Sequence, residues 1–129
     1  MENTLTAKAL FEHAGIATED APDGIVTFMD WKCNPKAARY TNGGRRALAL
    51  YDVVDGEPVA TVTVNLPEDS CDEDEIFVKD YSENTGMVTA LLDAKLVERP
   101  HRYVRSGFVS VPVCRLNKYG KALWEDYDA

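Results

Sequence analysis

The fold class is decided by the stretch RALALYDVVDGEPVATVTVNL, residues 46–66. Apolar residues recur at every second position from Ala60 to Leu66, a period of two that is typical of a half-buried strand. Asp55-Gly56 supplies the positive φ that a tight hairpin turn needs. The stretch therefore predicts a central antiparallel hairpin, with strands at Arg46–Val53 and Pro58–Leu66.

Helical patterns lie on both sides of this hairpin. The first helix is predicted from Thr4 to Ala14, where apolar residues recur at helical spacing. A middle helix is predicted to begin near Ser82 or Asn84, both good caps. It buries a stripe of four apolar residues, Met87, Ala90, Leu91 and Ala94. A last helix, capped by Asn117, carries Leu123, Trp124 and Tyr127 on one side.

Three further segments favour strands: Ile25–Trp31, Ile76–Val78 and Phe108–Leu116. Pro112 cannot donate to a sheet ladder, so the last segment is predicted to be an edge strand or a bulged one. Pro35–Gly44 is predicted to be a loop. The pattern predicts an α+β fold: a small, mainly antiparallel sheet with a central hairpin (46–66), packed by N-terminal, middle and C-terminal helices. The helical additions are 1–24 and 117–129, and 1–129 forms a single domain.

Composition limits the possible functions. The 129-residue chain is 45% hydrophobic, enough for a real core, and its formal net charge of −8 argues against nonspecific binding to DNA or to an anionic membrane. Its three cysteines are far apart, which predicts neither a zinc site nor a disulfide framework. The N-terminus lacks a signal peptide and no apolar run could cross a bilayer, so we expect a cytoplasmic protein without a cofactor.

An acidic loop follows the hairpin. It contains six carboxylates: Glu68, Asp69, Asp72, Glu73, Asp74 and Glu75. Three interpretations are open: a solvated loop, a partner-binding surface that imitates the phosphates of nucleic acid, and a divalent cation site. The EF-hand pattern requires a central glycine, which this loop does not have, so no metal site is assigned.

A basic segment, residues 95–121, balances the acidic loop. It holds seven of the fourteen Lys and Arg residues but only one of the 22 acids, so its formal charge is +6 and that of the remaining chain is −14. Mixed cations and aromatic rings suit phosphate contacts and base stacking. The candidate nucleic-acid or anion ligands are Arg99, Arg102, Tyr103, Arg105, Lys118 and Lys121. The alternative is that these cations neutralise the acidic part of the same chain.

Catalytic chemistry finds little support in the sequence. The two histidines, His13 and His101, stand in no recognisable triad, and no phosphate-binding glycine loop or HExxH motif occurs. No catalytic residue is therefore assigned. An enzyme would need a pocket that holds a titratable group with a perturbed pKa.

Several stretches carry a family resemblance in a fixed order. They are Tyr40 with Asn42, residues 48–50, 56–66 and 78–84, the helix ending near Leu96, and Ser106-Gly107-Phe108 running into Val111-Pro112-Val113. Residues 40–116 resemble an uncharacterised family, a domain of unknown function, found on phages and conjugative elements. The resemblance implies a mobile genetic element and supplies no catalytic residues. Small acidic accessory proteins of such elements are often anti-defence factors, including anti-CRISPR proteins.

These observations lead to two hypotheses. The first is a non-enzymatic acidic protein that docks on a host protein that handles nucleic acid, such as a defence-system nuclease or effector, through the acidic loop. The second is a small DNA-binding regulator, because residues 87–124 resemble the C-terminal half of a winged-helix domain and contain the whole basic segment. A winged helix needs a helix-turn-helix pair before its wing, and the hairpin 46–66 is predicted where that pair should be.

Overall fold

Two antiparallel sheets and three short α-helices make up the chain in a computed structural model that describes residues 6–17, 19 and 21–128. The α+β prediction is confirmed. The single predicted sheet is corrected to two, because the acidic loop separates the strands of the central hairpin from the strands that follow it.

The first sheet has four strands in the order β1-β2-β3-β4. These strands are β1 (Val26–Phe28), β2 (Trp31–Arg39), β3 (Arg46–Asp52) and β4 (Pro58–Thr61). The hairpin of β3 and β4 turns where Asp55-Gly56 predicted it, and Gly56 has a φ of 75°. The second predicted strand ends early, at Thr61, since Thr63 pairs instead with Val78 and so links the two sheets.

The prediction of a loop at Pro35–Gly44 is wrong as far as Arg39, because β2 continues through the proline. Pro35 pairs with Leu50 of β3, whereas β1 reaches only Cys33 on the other side. No β1 strand is therefore present to accept a hydrogen bond from residue 35, and the missing N–H costs little. The chain then turns at Gly43 and Gly44, both with positive φ, as the sequence indicated.

The second sheet has three strands in the order β5-β7-β6. They are β5 (Glu75–Phe77), β6 (Arg102–Ser106) and β7 (Val109–Arg115). The prediction of an edge strand around Pro112 is wrong, because β7 is central. Pro112 lies one residue beyond the last pair with β5, where its carbonyl accepts from Val78 and no donor is required.

The helices are shorter than their patterns suggested. They are α1 (Ala7–His13), α2 (Met87–Asp93, after a 3-10 turn at Ser82–Asn84) and α3 (Lys118–Ala122). Thr6 caps α1 through its hydroxyl, and the predicted start at Thr4 lies outside the described residues. Asn117 caps α3, as predicted, by accepting from the N–H of Gly120 at 2.9 Å.

The core lies between the helices and the sheets. The stripe of α2 is buried as predicted, and Leu48 and Leu50 of β3 are also buried. Phe11 of α1 meets Tyr119 of α3 edge to face, with ring centroids 5.3 Å apart. Trp124, just after α3, is fully buried and packs in the same cluster. The charged and aromatic side chains described below are therefore displayed on a well-packed frame.

Candidate protein-binding site

Two tight turns meet at one end of the four-stranded sheet. The first joins β1 to β2 at Met29-Asp30, and the second joins β3 to β4 across residues 53–57. Strands β2 and β3 are antiparallel, with Cys33 paired to Asp52, and the N–H of Val53 donates to the carbonyl of Lys32 at 3.0 Å. Both turns therefore project from the same end of the molecule.

This end carries large apolar side chains in water. Met29 is 68% exposed, Trp31 is 53% exposed and Val54 is 88% exposed, and Val53 is also exposed. We call these four residues the tip patch. Single exposed apolar residues are ordinary on a protein surface, but four of them at one end of a sheet form a candidate interaction site.

The second turn is held rigidly by its own hydrogen bonds. The carboxylate of Asp52 accepts from the N–H of Val54 at 2.7 Å, and that of Asp55 accepts from the N–H of Glu57 at 3.0 Å. The backbone N–H of Gly56 donates to the carbonyl of Asp52 at 2.9 Å. The valines are thus presented in a fixed arrangement, which lowers the entropy lost when a partner binds.

Backbone strain lies in the first turn. Met29 has a φ of 57°, in the left-handed region that side chains other than glycine adopt at a cost of about 1–2 kcal/mol. A glycine would fit this position without that cost. Strain of this kind concentrates at functional sites, so an exposed methionine here is consistent with selection for binding instead of stability.

Carboxylates surround the tip patch. The turn segments 29–32 and 52–57 contain four acids, namely Asp30, Asp52, Asp55 and Glu57, together with the single cation Lys32. Burial raises the pKa of the neighbouring Cys33 thiol, and the charge of Asp52 raises it further. An apolar centre with an acidic rim complements a partner surface that is apolar at its centre and basic around it.

The acidic loop has a different environment from the one the first hypothesis assumed. Glu75 is buried, and its carboxylate accepts from the guanidinium of Arg102 at 2.9 Å and from the ring of His101. These donors, Arg102 first, together with the N–H of Asp72, lower the pKa of Glu75 to about 2. Glu75 is therefore a structural carboxylate and not part of an exposed surface.

Other acids of the loop are also paired. Glu73 accepts from Arg39 at 2.7 Å and contacts Arg46 at 3.3 Å. Arg115 reaches Asp74 at 2.9 Å and Asp72 at 3.6 Å. Within the part of the chain that the structure describes, Glu68 and Asp69 make no ion pair. Four of the six carboxylates of the loop thus pair with arginines of the same chain, while the side chains of Asp72 and Glu73 stay largely exposed.

The structure separates the six candidate ligands of the basic segment into three groups. Arg102 belongs to the buried pair with Glu75. Tyr103 and Arg105 are exposed on β6, and Arg99 lines the same cleft as Tyr103. Lys118 and Lys121 lie on α3, at the opposite end of β7 from the β6–β7 turn, and seven residues of strand span about 23 Å. The six side chains do not form one surface.

The winged-helix resemblance lacks its essential part. Among residues 6–17, 19 and 21–128, the elements immediately before α2 are a 3-10 turn and strand β5. No helix-turn-helix pair therefore precedes the β6–β7 hairpin in the described chain.

The described residues lack two other kinds of feature, a metal-binding cluster and a membrane-spanning helix. No group of three or more His, Cys, Asp or Glu side chains in that part of the chain is arranged to hold a metal ion. Likewise, none of its helices has the length and apolar character required to cross a bilayer.

Comparison with known proteins returns no relative. No protein family, no curated protein and no solved structure matches the chain.

The tip patch was missed by sequence reasoning, although a signal for it exists. Met29 and Val54 occupy tight turns, where Gly, Asn and Asp are favoured and large apolar residues are rare. The residue types of the segment Ile25–Trp31 indicate only a strand. The register between β2 and β3, which brings the two turns together, is a long-range property that no local pattern reveals.

Proposed function

We propose that the protein is a non-enzymatic binding protein that docks on a basic, nucleic-acid-handling protein of the host cell. The observation that carries this proposal is the tip patch: Met29, Trp31, Val53 and Val54 are exposed together on two ordered turns. Tryptophan is among the residues that contribute most to protein interfaces, and Trp31 stands within an acidic rim.

The tip patch can supply useful binding energy. Complete burial of one large apolar side chain that is exposed in the free protein contributes about 1.5–3 kcal/mol. Two such anchors, Trp31 and Met29, together with Val54, form the apolar centre of an interface of modest size. The fixed turn geometry reduces the ordering cost of binding, which leaves more of this energy to offset the translational and rotational freedom that is lost on association.

The acidic rim selects the partner. Two copies of this chain meeting tip to tip would bring like charges together, which costs energy, so self-association through this end is disfavoured. A protein that binds nucleic acid presents basic groups around its binding groove, and carboxylates of the rim can occupy the positions of phosphates. Because the sequence leads us to expect that residues 40–116 belong with phage and conjugative-element proteins, we propose a defence-system nuclease or effector as this partner.

The experiment is affinity capture from nuclease-treated bacterial lysate that contains defence systems, read by mass spectrometry. Wild type, the double variant Trp31→Ala/Val54→Ala and the control Tyr127→Ala are compared. Tyr127 is a matched control because it is 52% exposed but lies outside the tip patch. We expect one basic nucleic-acid-handling protein to be enriched by wild type and by the control, and to be lost from the double variant.

Two results would contradict the proposal. Equal capture by all three proteins would show that the tip patch is not the docking site. Enrichment of no nucleic-acid-handling protein by wild type would remove the proposed class of partner.

A further inference from the structure

We propose that a cleft between α2 and the β6–β7 hairpin binds a nucleobase that carries a phosphate. None of the four tip-patch residues lines this cleft, and the inference does not depend on the proposed function. It accounts for the exposed aromatic and basic residues of β6, which neither the core nor the acidic loop uses.

Strand register places four of the residues on one face. Tyr103 of β6 is paired with Pro112 of β7, and Arg105 is paired with Ser110. Directly paired residues of antiparallel strands share a face, and so do residues two apart. Arg102, at the alternate position, points to the other side and binds Glu75. The two faces of β6 thus carry arginines in different environments: Arg102 pairs with Glu75, and Arg105 faces solvent.

The cleft beside this face has the size and the lining of a ligand site. Its volume is about 390 Å³, within the range of roughly 300–1,000 Å³ that is usual for small-molecule sites. Four apolar side chains line it, namely Val88, Leu92, Pro100 and Pro112, together with the hydroxyls of Thr89 and Ser110. A planar base can lie on the apolar part while the hydroxyls hydrogen-bond to its edge.

Aromatic stacking is available at the mouth of the cleft. Tyr103 lines the cleft and is 64% exposed, so one face of its ring can receive a base. Phe108, in the turn between β6 and β7, is also fully exposed but does not line the cleft. Stacking of a base on such a ring contributes about 1–3 kcal/mol and does not depend on which base it is.

The charges of the cleft favour a phosphate. Arg99 lines it, and Arg105 follows on the same strand face as Tyr103. In the described part of the chain neither arginine makes an ion pair, and Arg105 donates only to the carbonyl of Gly107, at 3.3 Å. The carboxylate of Asp80 also lines the cleft, but it accepts from the N–H groups of Gly86 and Val88, both at 2.9 Å, at the start of α2. That negative charge is thus partly satisfied within the protein.

A free mononucleotide and a single strand of nucleic acid both present this chemistry. The test is fluorescence anisotropy at low ionic strength with a labelled short oligothymidine, with AMP and an unlabelled duplex of equal length as competitors. We expect the single strand to bind with a salt slope of about −1.4, the value for two phosphate contacts. Competition by AMP assigns the site to free nucleotides, and failure of AMP to compete assigns it to the strand; both outcomes support the proposal.

The variants locate the binding site. We expect Tyr103→Ala and Arg99→Ala each to weaken binding by about tenfold, since each removes one stacking or phosphate contact. Both side chains are exposed, so circular dichroism should show unchanged folding. The matched controls are Lys118→Ala and Lys121→Ala, which remove cations of the same basic segment at the far end of β7, and Trp31→Ala in the tip patch. We expect wild-type binding from all three.

Three outcomes would overturn the inference. The first is absence of binding by wild-type protein both of the oligothymidine, measured by anisotropy, and of AMP alone, measured by isothermal titration calorimetry. The second is a loss of binding in the α3 lysine variants as large as the loss in Tyr103→Ala. The third is tighter binding of the duplex than of the single strand, which would favour groove recognition over an unpaired base.

Discussion

Trp124 donates its indole N–H to the carbonyl oxygen of Ala38 at 2.7 Å, across 86 positions of the chain. The guanidinium of Arg46 lies over the same ring, 4.7 Å from its centroid. The buried side chain of Trp124 therefore attaches the C-terminal segment to the four-stranded sheet. It packs in the core, donates a hydrogen bond to the Ala38 carbonyl and makes a cation–π contact with Arg46.

Two substitutions of Trp124 should lower the free energy of unfolding by different amounts. Trp124→Phe removes the donor to Ala38, and we expect a loss of about 1–2 kcal/mol. Trp124→Ala also leaves a cavity, and we expect a loss of about 3–5 kcal/mol. Urea unfolding followed by far-ultraviolet circular dichroism measures both. The control Trp31→Phe, at the exposed tip, should change stability by less than about 0.5 kcal/mol; equal losses at the two positions would contradict this account.

Stability should depend on pH through Glu75. Its folded pKa of about 2 lies below the ordinary value of 4.5, so the unfolded chain binds the proton more readily. The stabilisation is complete above pH 4.5 and is lost as the pH falls towards 2, and it amounts to about 3 kcal/mol at most. Thermal unfolding between pH 2 and pH 7 measures this dependence.

The matched variants for this pH dependence are Glu75→Gln and Glu68→Gln. Glu75→Gln should lower stability at neutral pH by about 2 kcal/mol, since Arg102 and His101 lose their charged partner, and it should flatten the acid limb of the profile. Glu68 is exposed, and Glu68→Gln should leave the profile of the wild type. An unchanged acid limb in Glu75→Gln would show that other groups cause the acid sensitivity.

Met29→Gly should separate stability from binding. Glycine adopts a φ of 57° without steric cost, so we expect the free energy of unfolding to rise by about 1 kcal/mol. The same change removes an exposed anchor of the tip patch, so affinity for the captured partner should fall by about tenfold. Urea unfolding and surface plasmon resonance measure the two effects. A gain of stability with unchanged affinity would remove Met29 from the docking site.

The three thiols should react in an order set by burial. Burial raises the pKa of Cys114 to about 12, and burial followed by the charge of Asp52 raises that of Cys33. Cys71 is only half-buried, although burial raises its pKa as well. An aromatic disulfide reagent at pH 8 should therefore modify Cys71 first and the other two only as the protein unfolds. Cys71→Ser should abolish the fast phase; a fast phase that persists would mean that another cysteine is accessible.

The sequence predicted those parts of the fold that local patterns determine. Alternation around Asp55-Gly56 identified the hairpin, and helical spacing identified the buried stripe of α2. Local rules were misleading at the prolines. Pro35 and Pro112 are both tolerated inside strands because each lies beyond the end of a neighbouring strand, and strand length and neighbour order are properties of the complete sheet.

The candidate sites were harder to predict because their charges pair over long distances. Glu75 and Arg102 are separated by 27 positions, and Arg39 and Asp128 by 89. Composition showed that an acidic part and a basic part exist, but not which members neutralise one another. The tip patch depends on the register between β2 and β3, which brings two turns to the same end of the sheet. The cleft depends on the alternation of side chains along β6, which points Tyr103 and Arg102 to opposite faces.

The attachment of Trp124 also bears on how the protein is made. A nascent chain that ends before this residue leaves the carbonyl of Ala38 without its donor and the space beside β2 unfilled. Native burial of the sheet is therefore reached only after residue 124 has left the ribosomal exit tunnel. A premature stop codon shortly before it would release a chain that keeps all seven described strands yet exposes its interior, which is the form that cellular proteases remove.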